Sequence, residues 1–140
     1  MITSCRKPLL FVAITLIAAG CQPKPPEKTP ARIYAADQTG AAKSCDVPKP
    51  KLTTGQETTA TMTVGNDGGW CGILLSDEGK PFAAGLLTTR PQHGAVFIHS
   101  VGDDTRIDYT PARGFTGSDS FAVTLLPEHT ALKVAVTVAR

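Results

Sequence analysis

From Leu52 onward the sequence is made of short stretches in which apolar and polar residues alternate, separated by turn-forming residues. A period of two puts every second side chain on one face of a β-strand, and strands spaced about 8–12 residues apart are typical of a sandwich or barrel. The predicted strands are Thr58–Val64, Trp70–Ser76, Phe82–Thr89, Ala95–Val101, Thr105–Thr110, Asp119–Leu126 and Ala131–Ala139. This region shows no helical period, so we predict an all-β fold, a single Ig-like seven-stranded β-sandwich over residues 52–140.

The first connection between these strands has a distinctive composition. Asn66, Asp67, Gly68 and Gly69 follow one another directly after the first predicted strand. These residue types accept a positive φ more readily than others, which two-residue hairpin loops require. The pattern therefore predicts a β-hairpin that joins the first and second strands.

The N-terminus has the layout of a secretory signal. Arg6 and Lys7 precede a short apolar run, which ends in the small residues Ala18-Ala19-Gly20 immediately before Cys21. A basic flank, an apolar stretch too short to span a bilayer comfortably and small residues at a cleavage point predict a signal peptide over residues 1–20.

Cys21 adds to that layout. Its position after the small residues resembles the lipobox of bacterial lipoproteins, in which the cysteine receives fatty acids before cleavage. The resemblance implies lipidation at Cys21 and a chain held on a membrane of the cell envelope. Position 22 is Gln, whereas Asp there resembles an inner-membrane retention signal, so the resemblance implies the outer membrane. The alternative is an ordinary signal peptide followed by an unmodified cysteine.

The segment after Cys21 is rich in proline and charge, so residues 21–51 are predicted to form a flexible tether.

The net charge of the mature chain limits the class of partner. Arg6 and Lys7 leave with the signal peptide, which reduces 14 basic residues to 12, and all 12 acidic residues remain. A formally neutral mature chain argues against a nucleic-acid partner.

Cys45 and Cys71 are the cysteines that remain after Cys5 leaves with the signal peptide and Cys21 takes its lipid. A lone pair in an oxidising compartment predicts a disulfide. A two-cysteine metal or redox site is the alternative, although the chain contains no CxxC spacing.

The second half of the chain carries a spaced motif between Arg90 and Leu126. Its residues are Pro91, Gly94, Tyr109, Pro111, Gly114, Phe115, Gly117, Asp119 and Phe121. This pattern resembles the bacterial Ig-like and cadherin-like tandem domains of large surface proteins. The resemblance implies a sandwich fold and structural roles, with the Tyr109 ring buried and Asp119 accepting hydrogen bonds from loop N–H groups.

Residues that carry chemistry are sparse. The serines lie in no GxSxG context, and His93, His99 and His129 are scattered, so no catalytic residue, cofactor or metal site is expected. Calcium at Asp103 and Asp104 with Asp108 and Asp119, which the cadherin-like resemblance suggests, is an alternative. However, Asp103 and Asp104 lie in a predicted hairpin turn, where aspartate is common for its own hydrogen bonding.

Trp70, the single tryptophan, follows Gly68 and Gly69. It is either the anchor of an exposed binding patch formed with these glycines or a ring that packs against the disulfide or the sandwich edge, and the second is favoured because large aromatic residues are mostly buried.

Two functions remain open at this point. The first is a non-enzymatic envelope module that is anchored in the membrane and binds a protein or glycan partner. The second is a periplasmic protease inhibitor built as a β-barrel lipoprotein, since Trp70–Lys80 is faintly similar to a barrel hairpin of that kind. The sheet topology separates them, because a two-sheet sandwich favours the first and an up-and-down barrel the second.

Overall fold

A computed structural model describes residues 38–140. The predicted signal peptide 1–20, the predicted lipidation site Cys21 and the first part of the predicted tether therefore lie outside the described residues. In the part that is described, no helix is long and apolar enough to cross a membrane.

The described residues form eight strands. They are β1 (Cys45–Asp46), β2 (Glu57–Gly65), β3 (Cys71–Leu75), β4 (Ala84–Thr89), β5 (Gly94–Val101), β6 (Asp104–Pro111), β7 (Gly117–Leu126) and β8 (Thr130–Ala139). A five-stranded sheet has the order β1-β2-β8-β7-β4, and a three-stranded sheet has the order β3-β6-β5. Each predicted strand corresponds to one of β2 to β8, and the two sheets confirm the all-β sandwich.

The core lies between the two sheets and follows from alternation along the strands. In β8 the side chains of Leu132, Val134, Val136 and Val138 are buried, while the residues between them face away from the core. Ile107 and the other inward-facing residues of the three-stranded sheet close the core from the other side. Each large apolar side chain buried in this way stabilises the fold by about 1.5–3 kcal/mol relative to exposure.

The predicted hairpin at Asn66–Gly69 is wrong, because β2 and β3 belong to different sheets. β2 pairs in parallel with β8, whereas β3 pairs with β6. The polar side chains of this turn nonetheless have hydrogen-bond partners. Asp67 Oδ1 accepts a hydrogen bond from the Gly69 N–H, and the Asn66 amide donates to the carbonyls of Ala112 and Phe115 on a distant loop. The same residues therefore suit a connection that crosses between sheets.

The folded domain begins before Leu52, the predicted end of the tether. Cys45 and Asp46 pair with Val64 and Thr63 of β2, and Ala42 belongs to the buried core. The predicted disulfide between Cys45 and Cys71 is present and joins β1 to β3, and therefore one sheet to the other. The boundary at Leu52 is therefore placed too far along the chain, because proline content alone does not show that a segment is unpaired.

Candidate functional site

The outer face of the three-stranded sheet carries an unusual set of side chains. In β6, Ile107 and Tyr109 point into the core, so Arg106 and Asp108 project from the opposite side of the sheet. The register places Arg106 between Leu74 of β3 and His99 of β5. We call the surface formed by Leu74, Phe97, His99, Arg106 and Asp108 the outer face.

An ion pair lies at the centre of the outer face. Arg106 Nε is 3.0 Å from Asp108 Oδ1 and 3.1 Å from Asp108 Oδ2. Although both side chains project from the sheet, only 9% of Arg106 and 7% of Asp108 is exposed. Asp108 Oδ1 is buried and has no well-aligned hydrogen bond from any described residue. The Arg106 guanidinium beside it balances the negative charge of the carboxylate.

His99 extends this ion pair into a network. Its Nε2 lies 3.0 Å from Asp108 Oδ2 and 3.2 Å from Arg106 Nε. An ionised carboxylate only accepts hydrogen bonds, so the first contact requires a proton on Nε2, and the Arg106 N–H is then directed to Asp108 rather than to His99. The exposed part of the imidazole, 29% of the side chain, connects the network to solvent.

Trp70 covers one side of the network. The Arg106 guanidinium lies 4.0 Å from the centre of the Trp70 ring, which is a cation–π arrangement. The indole N–H donates to the carbonyl of Thr39 at 3.1 Å, and a β-bridge joins Ala41 to Trp70. The ring is thus fixed on both sides and only half-buried.

Gly72 explains how Trp70 and Asp108 come so close to the strand. A Cβ atom at Gly72 would lie 2.6 Å from Asp108 Oδ1 and 3.1 Å from Trp70 Cζ3. The first distance is too short for any Cβ atom unless the carboxylate moves, and the second is tighter than an ordinary contact. Glycine at this position therefore lets the carboxylate and the indole ring lie directly over the backbone of β3.

The predicted patch of Gly68, Gly69 and Trp70 does not form a continuous exposed surface. Gly69 is buried, and a Cβ there would lie 2.4 Å from the backbone N of Ala42. Gly68 is exposed in a turn with φ of 90°. Trp70 instead packs with Arg106, which sequence reasoning missed.

Two exposed apolar side chains border the network. Phe97 of β5 is 63% exposed and Leu74 of β3 is 42% exposed. The Phe97 ring lies against the His99 ring, with centroids 4.7 Å apart. The outer face thus combines solvent-exposed apolar groups with buried charge, and aromatic and arginine side chains of this kind are enriched at the centres of protein interfaces.

The motif residues that suggested the family resemblance gather elsewhere, at the loop end of the sandwich. Asp119 Oδ2 accepts hydrogen bonds from the Tyr109 hydroxyl at 2.9 Å and from the His93 N–H at 2.8 Å, and Oδ1 accepts from the N–H groups of Gln92 and Ser120. Burial alone would raise the pKa of Asp119, but these hydrogen bonds together outweigh it and lower the pKa below its usual value.

The remaining motif residues pack around this carboxylate. Gly94 leaves room for the Tyr109 ring, because a Cβ there would lie 2.5 Å from Cε2 of that ring. Phe121 stacks on Tyr109 with centroids 5.9 Å apart, and Phe115 stacks on His93 at 4.1 Å. The other motif positions are Pro91, half-buried, Pro111, buried, and Gly114 and Gly117, which have φ of 77° and 129°. These contacts hold the loop end of the sandwich together.

The described residues offer little for catalysis. Among residues 38–140, no three His, Cys, Asp or Glu side chains are grouped closely enough to hold a metal ion. The His99–Asp108 pair has the two groups of an acid–base relay, but the side chains that adjoin it are Arg106 and Phe97, neither of which is a nucleophile.

The topology also separates the two functions left open by the sequence. Two sheets packed face to face form a sandwich, and the parallel pairing of β2 with β8 has no place in an up-and-down barrel. The barrel on which the protease-inhibitor hypothesis depended is therefore absent from the described residues.

A search of the curated proteins found no match to this chain. Among protein families, the model of the bacterial Ig domain matches residues 41–136, which is more than half of the chain. The match begins at Ala41, which forms a β-bridge with Trp70. With its two-sheet topology and its cluster of packed motif residues around Asp119, the chain belongs to the bacterial Ig domain family.

Proposed function

We propose that this chain is a membrane-anchored lipoprotein of the cell envelope, and that its Ig-like domain is a non-enzymatic module which binds a protein or glycan partner through the outer face. The observation that carries the binding part is the exposure of Phe97 and Leu74 on either side of the buried Arg106–Asp108 pair. A buried charge pair contributes little net stability, so its presence beside exposed apolar groups favours a role in recognition.

The anchor in this proposal rests on the sequence around Cys21. The small residues Ala18-Ala19-Gly20 before Cys21 supply the processing site, and several acyl chains hold a protein stably where a single one does not. Gln22 favours delivery to the outer membrane in a cell with two membranes. Cell-surface and other extracellular settings are typical of the bacterial Ig domain family, which is compatible with this location.

Lipidation is tested by expressing the full chain in bacteria fed with a labelled fatty acid. We expect the label in the wild-type chain and in the Cys5→Ala variant, since Cys5 lies within the signal peptide. The Cys21→Ala variant should carry no label and should leave the membrane fraction. A labelled Cys21→Ala chain, or an unlabelled wild type, would refute the anchor.

The binding surface is tested with a photo-crosslinking residue at Leu74 in the full chain, in intact cells. The matched control is Leu86, which is 50% exposed but lies on the other sheet. We expect a reproducible adduct with another envelope component at Leu74 and none of the same mass at Leu86. Equal adducts at both positions, or none at either, would reject the outer face as the binding surface.

A further inference from the structure

We propose that β5 is a self-association edge, at which two copies of the chain join their three-stranded sheets through antiparallel pairing of β5 with β5 of the second copy. The proposal concerns the backbone edge of the sheet, and of the outer face it involves Phe97, which lies on this edge strand. It does not depend on lipidation or on the partner proposed above. It begins with the hydrogen bonds that β5 makes and those that it leaves unmade.

One side of β5 has no backbone partner among the described residues. β5 pairs with β6 on its inner side, while β4, the nearest strand of the opposite layer, pairs with β7 in the other sheet. β4 and β5 are not paired with each other, and the Ile98 side chain packs over Gly85, where a Cβ would lie 2.8 Å from Ile98 Cγ2. A row of unpaired N–H and C=O groups of this kind is a template for another strand.

The pairing register shows which residues supply these groups. The N–H of Ala112 donates to the carbonyl of His93, which makes that pair a hydrogen-bonded one. Hydrogen-bonded and non-hydrogen-bonded pairs alternate along an antiparallel ladder, so Ala95, Phe97 and His99 bond to β6. The N–H and C=O groups of Val96, Ile98 and Ser100 therefore point away from β6 toward the free edge.

β5 also lacks the features by which other edges are protected. β1 has only two residues, β4 has a register shift between Leu87 and Thr89, and β3 is bridged at Trp70 by Ala41. By contrast β5 runs for eight residues, Gly94–Val101, in unbroken register, and contains no Lys, Arg, Asp, Glu or Pro. Charges, prolines, bulges and short length are the usual means of preventing edge-to-edge pairing.

The strand is complementary to itself. An antiparallel pair centred on Phe97 would place Val96 opposite Ile98 of the second copy, and Gly94 opposite Ser100, so that the outward-pointing groups bond to each other. Phe97 would then lie opposite Phe97 of the second copy at a non-hydrogen-bonded position, where side chains are closest. Aromatic pairs across strands stabilise such pairing, and Phe97 is 63% exposed in the single copy.

Charge does not oppose this association. The chain after residue 20 has 12 basic and 12 acidic residues, so two copies do not repel each other through net charge. In this register a second copy pairs the outward N–H and C=O groups of Val96 with those of Ile98 and places the exposed Phe97 ring opposite its own counterpart, which an arbitrary partner strand need not do. We therefore assign the edge to a second copy of this chain.

The first test places a cysteine at Phe97 in the full chain, expressed in cells that export it. A non-hydrogen-bonded antiparallel pair has Cα atoms about 4.5 Å apart, within the range of about 4.4–6.8 Å that disulfides span. We expect the Phe97→Cys chain to run at twice the monomer mass without reductant and at the monomer mass with it. The Leu86→Cys control, on the other sheet, and Leu74→Cys, on the outer face but away from β5, should remain monomeric.

The second test exchanges charges at the same position. Two differently tagged copies of Phe97→Lys should not co-purify from detergent extracts, because like charges would face each other across the pair. Nor should two copies of Phe97→Glu. One copy of each should co-purify as well as two wild-type copies, whereas the same exchange at Leu86 should change nothing.

Three results would overturn the proposal. The Phe97→Cys chain could remain monomeric, it could form its disulfide mainly with a different protein, or Leu74→Cys could dimerise equally well. Recovery of the Lys and Glu mixture separates a specific pair from loss of folding, because a misfolded chain would not regain its partner. The partner test at Leu74 has its own readout, so either proposal can fail while the other stands.

Discussion

The Tyr109 hydroxyl donates a hydrogen bond to Asp119 Oδ2 at 2.9 Å, and this bond connects the two sheets of the sandwich. Tyr109 lies on β6 of the three-stranded sheet and is fully buried, whereas Asp119 lies on β7 of the five-stranded sheet. The same carboxylate accepts hydrogen bonds from the N–H groups of Gln92 and His93, just before β5. One side chain thus holds three segments together at the loop end of the domain.

Replacing Tyr109 with phenylalanine removes only the hydroxyl of this pair. The free energy of unfolding should fall by about 1.5–3 kcal/mol, the usual range for a hydrogen bond to a charged group. Urea unfolding of both proteins measures the difference. The matched control is Thr88→Val, which removes a hydroxyl that donates to the Ala122 carbonyl at an exposed edge and should cost less than about 0.5 kcal/mol. Equal losses in both variants would contradict the role of Tyr109.

Asp119 gives the stability a dependence on acid. Its folded-state pKa is lowered below the ordinary value of 3.8, because its hydrogen bonds outweigh the opposing effect of burial. A group with a depressed pKa contributes its stability above the unfolded-state pKa and loses it as the pH falls through the folded-state pKa. We therefore expect stability to fall below about pH 4, and the Asp119→Asn variant to be less stable at pH 7 but to lose less on acidification. Urea unfolding at pH 7 and pH 3 measures both effects, and parallel acid losses in both proteins would contradict the assignment.

The disulfide should be a large contributor to stability. Cys45 and Cys71 are separated by 26 positions, and closing a loop of this length stabilises a fold by about 3.5 kcal/mol in the chain-entropy description. We expect the Cys45→Ser, Cys71→Ala double variant to lose about 2–4 kcal/mol in urea unfolding. Reductant should destabilise the wild type by a similar amount and leave the double variant unchanged. An effect of reductant on the double variant would show that the loss has another origin.

Strand positions could be predicted from the sequence because alternation is a local property. The alternation is plain in the second half of β7, where Phe121, Val123 and Leu125 are buried, and along β8 from Leu132 to Val138. The partners of these strands could not be predicted in the same way. The Asn66–Gly69 turn has the composition of a hairpin, yet β2 pairs with β8, at the far end of the domain. Pairing between distant strands depends on the packing of the whole sandwich, and the composition of a turn does not indicate which distant strands will pair.

The outer face was missed for a related reason. Arg106 and Asp108 stand two positions apart, which in a strand places them on one face, so the sequence held a usable signal. The burial of these two side chains could not be predicted, because it depends on Trp70 and on the absence of a side chain at Gly72 on the neighbouring strand. The motif around Asp119 could be predicted because its residues form a recognisable spaced pattern.

Gly72 gives a test of how the outer face is built. A methyl group at Gly72 would collide with Asp108 Oδ1 and crowd Trp70 Cζ3, and the carboxylate cannot move aside without leaving Arg106. The Gly72→Ala variant should therefore lose about 1–3 kcal/mol, the usual cost of an overpacked site. Trp70 is the only tryptophan, so its fluorescence reports on this surface alone, and the emission should shift to longer wavelength as the ring moves into water.

Gly68→Ala is the control that separates a collision from the loss of a glycine. Gly68 has a φ of 90°, and no heavy atom beyond its two chain neighbours lies within 4 Å of the position that its Cβ would take. Alanine there should cost about 1 kcal/mol through backbone strain, with the emission of Trp70 unchanged. If Gly72→Ala leaves the emission unchanged as well, the indole ring is not held where the contacts with Arg106 and Thr39 place it. A shift in Gly72→Ala alone would show that the close approach of Asp108 and Trp70 to β3 depends on the missing side chain.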